Sequence, residues 1–325
     1  MLRSKNDDSS AKKLVVLALG GNALQKKGEK GTVYEQFANT RESMKPVVEL
    51  MKKNYNFVIT HGNGPQVGAV MLMVDKARDE VPETPLGIAD AMTCGSMGYM
   101  IEQSLQNIMI KAGIWRNVVT IPAQIIVDPN DPSIKNPTKP IGKFYSEEEA
   151  KKLESDKGWV MKNDANRGYR RYVASPYPLD IVEKDAIKSL ISQNYVVVTG
   201  GGGGIPVYYE KDKTLEGIDC VIDKDLATMK IALAVNADTL VIVTGVNRVA
   251  VNFGKPNQEE FSRMTLAQAR YYLAAGEFPP GSMGPKIQAA IEFVQANPNN
   301  RVVITDIACL PEALEGKQGT TIVAY

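Results

Sequence analysis

At 325 residues the chain is long enough for one large domain or two ordinary ones, and its 44% hydrophobic and 23% charged content is that of a globular protein with a sizeable core. A formal net charge of +1 gives no electrostatic reason to expect nucleic acid or a membrane surface as a partner. Three scattered cysteines and one histidine, His61, exclude a His-rich metal site and suit an intracellular protein with reduced thiols.

Residues 1–12 are polar and mixed in charge, without the apolar stretch of a signal peptide, and are expected to form a disordered extension. No window approaches the roughly 20 apolar residues of a spanning helix, so a cytoplasmic location is expected. From there strands and helices alternate: a strand at Leu14–Leu19, a helix at Val33–Lys53, a strand at Phe57–Thr60, helices at Pro65–Ala77 and Asp90–Ala112, and strands at Val118–Ile121 and Ile125–Val127. Such alternation predicts a mainly parallel sheet with helices on both faces. Met97, Met100 and Met109 read as core filling.

Between 128 and 178 prolines cluster and charge rises. Ser146-Glu147-Glu148-Glu149 is a capping box opening a helix to about Glu154, and Trp159–Lys162 and Tyr169–Ala174 read as strands around a turn. This stretch is expected to be an inserted, protruding subdomain. The alternation then resumes with a helix at Glu183–Gln193, a strand at Val196–Thr199, a hairpin from Pro206–Tyr209 and Gly217–Ile222, a helix at Leu226–Val235 and a strand at Thr239–Val243. Helices at Thr265–Ala275 and Pro285–Ala296 and strands at Val302–Thr305 and Thr320–Ala324 follow.

Three of the strands end in glycine-rich turns: Gly20-Gly21-Asn22, Gly62-Asn63-Gly64 and Gly200–Gly204. Glycine permits positive φ and close backbone approach, and successive N–H groups in such turns make anion nests. Strand carboxyl ends are also where open α/β sheets bind ligands. A flexible link or tight packing is the alternative for the five-glycine run.

Lysines at helix starts are the second signal. Pro285 at a first helical position puts Lys286 in the first turn, and Asp223-Lys224-Asp225 similarly opens the helix at Leu226, with Asp225 read as its cap. A cation is disfavoured at a helix N-terminus unless an anion lies between. Lys139 stands in a proline-stiffened loop, Asn136-Pro137-Thr138-Lys139-Pro140, either closing over an anionic substrate or merely solvated. His61 either donates to a substrate oxygen or hydrogen-bonds its own turn, and the second is the simpler role. Asp128, Asp131 and Asp164 read as turn residues, and the two tryptophans show no stacking platform.

Taken together, Ala18–Leu24, His61–Gly68, Asn136–Gly142, Gly201–Pro206, Val221–Ala227, Asn252–Pro256 and Gly281–Lys286 closely resemble the carbamate kinases of the amino acid kinase family. The resemblance implies a three-layer αβα sandwich over 13–325 with a protruding subdomain at 128–178, usually assembled as a homodimer. It implies reversible phosphoryl transfer between ATP and carbamate, often run toward ATP in arginine catabolism, with Mg²⁺ bridging phosphate oxygens. By the same analogy Gly20, Gly21, Asn22, Gly62, Asn63 and Gly64, in a half spanning 13–198, hold carbamoyl phosphate. Gly201, Gly202, Gly203, Gly204 and Met283, in a half spanning 199–325, lie at the nucleotide. Lys224 and Lys286 neutralise the phosphates, Asp225 orients them, and Lys139 reaches the substrate. Removing Lys224 or Lys286 is then expected to cost activity on the order of 100-fold while moving stability by only about 0.5 kcal/mol. The segment Thr244-Gly245-Val246-Asn247 departs from the family, where an acidic residue is common. Another small-molecule kinase of the family, or a silent nucleotide-binding scaffold, is the alternative.

Overall fold

The structure, a computed structural model, describes residues 12–26, 28–77, 79–164 and 168–325; the extension expected over 1–12 lies, apart from Lys12, outside them. The first part of the chain comprises β1 (Lys13–Leu19), α1 (Val33–Lys52), β2 (Tyr55–His61), α2 (Gly64–Ala77), α3 (Leu86–Lys111), β3 (Val118–Ile121) and β4 (Gln124–Val127). Next come α4 (Pro132–Lys135), β5 (Lys139–Tyr145), α5 (Glu147–Lys157), β6 (Val160–Asn163), β7 (Tyr169–Val173) and β8 (Pro178–Ile181). The remainder contains α6 (Lys184–Ser192), β9 (Val196–Thr199), β10 (Ile205–Tyr209), β11 (Leu215–Gly217), α7 (Lys224–Ala234), β12 (Thr239–Val243), β13 (Val249–Val251), β14 (Glu259–Phe261), β15 (Arg263–Thr265), α8 (Leu266–Ala274), α9 (Met283–Ala296), β16 (Arg301–Thr305), α10 (Leu310–Leu314) and β17 (Thr320–Val323).

Eight strands make the central sheet in the order β15-β17-β16-β12-β1-β2-β9-β3. Only the β16–β17 pair is antiparallel. Both faces are buried, which is why the strands read as unbroken apolar runs. In β1, Val16 and Ala18 face one core with Met229, Ile231, Ile287 and Phe293 of α7 and α9. Val15, Leu17 and Leu19 face the other with Met44, Met97, Ile101 and Leu310 of α1, α3 and α10. The expected three-layer sandwich is therefore observed. No helix among the described residues is long and apolar enough to cross a membrane.

A second sheet, β11-β10-β4-β8, leans on the first of these cores, and a three-stranded sheet β5-β7-β6 with α5 stands over the carboxyl edge. The proline-rich loop expected at Lys139 is instead the start of β5. Pro140 is tolerated there because β5 is an edge strand, paired only with β7. The second hairpin strand stops at Gly217 instead of Ile222, α3 starts at Leu86, and α9 starts at Met283. The short strands β13 to β15 carry too few residues to show a period and were not anticipated. Met97 and Met109 are buried, while Met100 is half-exposed.

Candidate active site

Because β12, β1, β2 and β9 are parallel neighbours, the turns that follow them line one edge of the sheet, on both sides of β1. The backbones there are crowded. A β-carbon at Gly20 would lie 2.7 Å from the Val243 carbonyl oxygen at the end of β12, so only glycine fits. One at Gly62 would sit 3.6 Å from Lys224 Cδ and 3.8 Å from the Gly21 nitrogen, which puts the first two turns and Lys224 in one place. Asn22 lies in the single 3-10 turn Gly21–Ala23, and the second turn runs into the N-terminus of α2 at Gly64. Unpaired N–H groups at such an end favour an anion.

Of the three turns only the third has left-handed backbone, at Gly200, Gly202, Gly203 and Gly204 (φ 60°, 68°, 107° and 83°). This run is buried: β-carbons would overlap the His61 ring at Gly201, the Asn63 amide at Gly202 and the Ile222 carbonyl at Gly203. The amides of Gly203 and Gly204 close bonds to the Gly200 and Gly201 carbonyls at 3.2 and 2.9 Å. Tight packing, the alternative read from the sequence, thus accounts for much of the five-glycine run. His61 takes its simpler role. It is buried, its Nδ1 lies 3.2 Å from the Gly62 oxygen, and burial pushes its pKa down to about 4, leaving the ring neutral at pH 7.

The N-terminus of α7 meets these turns. Its cap is Asp223, not Asp225 as the sequence suggested: Asp223 Oδ1 accepts from the Asp225 and Leu226 amides at 2.9 and 3.4 Å. Its other oxygen takes Lys139 Nζ at 2.8 Å, tying the protruding sheet to α7. Freed from capping, Asp225 Oδ1 holds Lys224 Nζ and Oδ2 holds Lys286 Nζ, each at 2.6 Å. Pro285 is the third residue of α9, where its missing N–H still costs no helix bond, and Lys286 follows it.

This lysine–carboxylate–lysine cluster is largely dry, with side-chain exposures of 14%, 6% and 14%. Burial alone would raise the Asp225 carboxyl, but the charges of Lys224 and Lys286 outweigh it and hold the pKa well below the carboxylate range. Burial, aided by the repulsion of Lys286, lowers the Lys224 ammonium despite Asp225. One carboxylate under two ammonium groups leaves a net positive charge, a site built to gain from an added anion.

Beside Lys286 opens a cavity of about 310 Å³ between the end of β12 and α9, lined by Gly245, Arg248, Phe253, Phe278, Met283 and Lys286 among others. Its walls are mostly apolar, with charge at one end, which suits a flat heterocycle carrying phosphates. Met283 and Lys286 both line this cavity, whereas Gly201 to Gly204 do not. In the segment that departs from the family pattern, Thr244–Asn247, the side chain of Asn247 turns toward residues 305–319. Its Nδ2 donates to Gln318 Oε1 at 2.6 Å and its Oδ1 accepts from the Gly319 amide at 3.1 Å. Asp223 is the residue that sequence reasoning undervalued, although an aspartate just before a helix is the usual N-cap signal.

The model of the amino acid kinase family matches residues 13–306, across the sheet and this cluster. The chain belongs to the amino acid kinase family. Within it, the carbamate kinase of Pyrococcus furiosus is 46% identical over 313 residues, 96% of this chain and 99% of that one. That of Clostridium perfringens is 45% identical over 312 residues, 95% and 99% of the two chains. The solved structure of carbamate kinase from Giardia lamblia bound to AMP-PNP superposes with a TM-score of 0.90 at 43% identity, covering 96% of this amino acid kinase and 99% of that chain.

Proposed function

We propose that this chain is a carbamate kinase, an ATP:carbamate phosphotransferase that transfers a phosphoryl group reversibly between the nucleotide and carbamate and runs toward ATP in arginine catabolism. One observation carries the reading: Lys224 and Lys286 are held by a single buried Asp225 between the glycine turns and the cavity. Phosphoryl transfer asks little covalent chemistry of a protein; positioning and charge neutralisation supply the rate.

In this reading the backbone of Gly20, Gly21, Asn22, Gly62, Asn63 and Gly64 receives carbamoyl phosphate in the half spanning 13–198. The cavity with Met283, in the half spanning 199–325, takes the nucleotide. Lys224 and Lys286 flank the group in flight, Asp225 keeps their ammonium groups aimed, and the third glycine run braces the phosphate end. Lys139 reaches the carbamoyl end from the protruding subdomain at 128–178.

Mg²⁺ bound to the nucleotide would neutralise phosphate oxygens. Asp223 and Asp225 are both engaged by lysines, so the residues present fit a metal carried on the phosphates more than one caged by side chains.

Homodimer formation is supported by α3, whose Ile88, Met92, Tyr99 and Ile110 are exposed and fall within about 40° of one another on the helix. A cytoplasmic location suits small soluble substrates. The test is ATP formation from ADP, Mg²⁺ and carbamoyl phosphate: ATP production that depends on carbamoyl phosphate supports the assignment. Activity only with another small carboxylate or phosphate, or nucleotide binding without turnover, would overturn it.

A further inference from the structure

Behind the second glycine turn lies a polar cluster that none of these roles uses. Asn63 is buried, and its Nδ2 donates to both Asp90 Oδ1 and Thr93 Oγ1, each at 2.8 Å. Thr93 gives its own proton to the Asp90 carbonyl at 2.9 Å, so it accepts only from Asn63. The adjacent Cys94 donates to the Gly201 carbonyl at 3.0 Å, while the Asn63 amide fills the space a side chain at Gly202 would need. One turn of α3 therefore grips the second and third glycine turns together. With both amide hydrogens spent, the side chain of Asn63 has no donor left for a phosphate. It serves as a strut, and only its backbone faces a ligand.

The anchor of that strut is unusual. Asp90 is 1% exposed, its Oδ2 has no hydrogen-bond partner, and no lysine or arginine pairs with it among the described residues. A buried carboxyl half-satisfied in this way is a liability that packing alone would not retain. We propose that Asp90 is a positioning residue of the phosphoryl-transfer site, holding Asn63 so that the second and third glycine turns stay in register around the transferred phosphate. The proposal rests on the phosphotransferase reading above.

Its charge state follows from the surroundings. Burial lifts the Asp90 carboxyl to about 7, with the Asn63 hydrogen bond opposing and Asp219, in the loop before α7, adding to the rise. The other titratable groups around it are Cys94 on α3, pushed up to about 12, and Cys220 beside Asp219, also raised; both stay protonated. His61 of β2, packed on Gly201, is neutral, and the nearest charge it feels is Lys224 of α7. Ionised Asp90 would thus put a negative charge one hydrogen bond behind a turn that receives an anion. Anion binding and ionisation of Asp90 oppose each other, and by linkage a bound anion raises the Asp90 pKa.

The test compares wild type, Asp90→Asn and Asp90→Leu in ATP synthesis from pH 6 to 8.5. For wild type the KM for carbamoyl phosphate is expected to rise on the order of 5-fold or more above pH 7. In Asp90→Asn, which offers Asn63 an oxygen but cannot ionise, that rise disappears. Asp90→Leu is expected to raise the KM for carbamoyl phosphate and lower kcat while leaving the KM for ADP in place. Identical KM–pH profiles for wild type and Asp90→Asn would overturn the proposal, as would equal loss of affinity for both substrates in Asp90→Leu. Should Asp90→Leu not fold, the Asp90→Asn profile alone decides. If wild type makes no ATP, the phosphotransferase reading fails; proton uptake on binding inorganic phosphate at pH 7.5, present in wild type and absent in Asp90→Asn, then decides the role of Asp90.

Discussion

Lys224 and Lys286 look replaceable in the sequence and are not so in the fold. Among the described residues their ammonium groups are the only ones paired with a carboxylate that is 6% exposed, so the small stability change expected for a surface lysine no longer applies. Replacing either lysine by alanine should still cost activity on the order of 100-fold or more. Asp225→Asn should destabilise the protein by about 3–5 kcal/mol, because two buried ammonium groups then face each other without a partner. Bound phosphate or nucleotide should recover part of that loss, which denaturation with and without ligand would show.

Two buried titratable residues also predict how stability responds to acid. His61, depressed to about 4 from 6.5, takes up its proton first in the unfolded chain, so it makes the protein less stable as pH falls through that window. Asp90, raised to about 7 from 3.8, takes up its proton first in the folded chain and stabilises over nearly the same window. The two slopes cancel between about pH 4 and 6.5. Asp90→Asn removes one of them. Its unfolding free energy should then fall by about 1.4 kcal/mol per pH unit relative to wild type as pH drops from 6 to 4.5, a slope that His61→Gln in the same background should abolish.

At the level of elements, Asp223 joins two functions that substitution can separate. As N-cap it serves α7, and as partner of Lys139 it seats the protruding sheet. Asp223→Ser keeps an oxygen for the cap and loses the ion pair; its stability should stay near wild type while the KM for carbamoyl phosphate rises. Asp223→Ala loses both and should be less stable by about 1 kcal/mol more. Equal kinetics in wild type and Asp223→Ser would detach the subdomain from substrate binding.

The same elements show what the sequence could reveal. Central strands were readable because burial on both faces left runs such as Val15–Leu19 without polar interruption, and glycine turns stood out at their ends. Lys139, Lys224 and Lys286 were readable because lysine beside proline or at a helix start conflicts with local preference. Asp223 was hidden by Asp225, which sits two residues on and resembles a cap equally well. Asp90 was not singled out in the sequence: a helix starting at Asp90 puts the acid in the first turn, where a carboxylate is ordinary, whereas with Leu86 as the start it lies inside the helix on the buried stripe with Thr93 and Met97. Only the packing of α3 against the glycine turns makes that position polar and consequential.

Across the whole molecule, the exposed stripe of α3 lies on the opposite side of the helix from Asp90, Cys94 and Met97. If that stripe joins two copies, then the helix that holds the glycine turns is also the one a partner stiffens. Met92→Glu should convert a dimer to a monomer in sedimentation equilibrium and lower the thermal midpoint, and a dimer that survives the substitution would place the interface elsewhere.

The position of β17 has a consequence for how the molecule is made. This strand, residues 320–323, is flanked in the sheet by β16 and by β15, and it follows both in the chain. A ribosome that has delivered β15, α8, α9 and β16 has still not delivered the strand that joins them. Until then β15 has no partner in the sheet, the Asn247 side chain lacks Gln318 and Gly319, and the wall of the cavity after β12 is unbraced. Nascent chains stalled with residue 315 clear of the exit tunnel should leave the cavity after β12 open to protease while β1, β2 and β9 are already protected, and releasing ten further residues should close it.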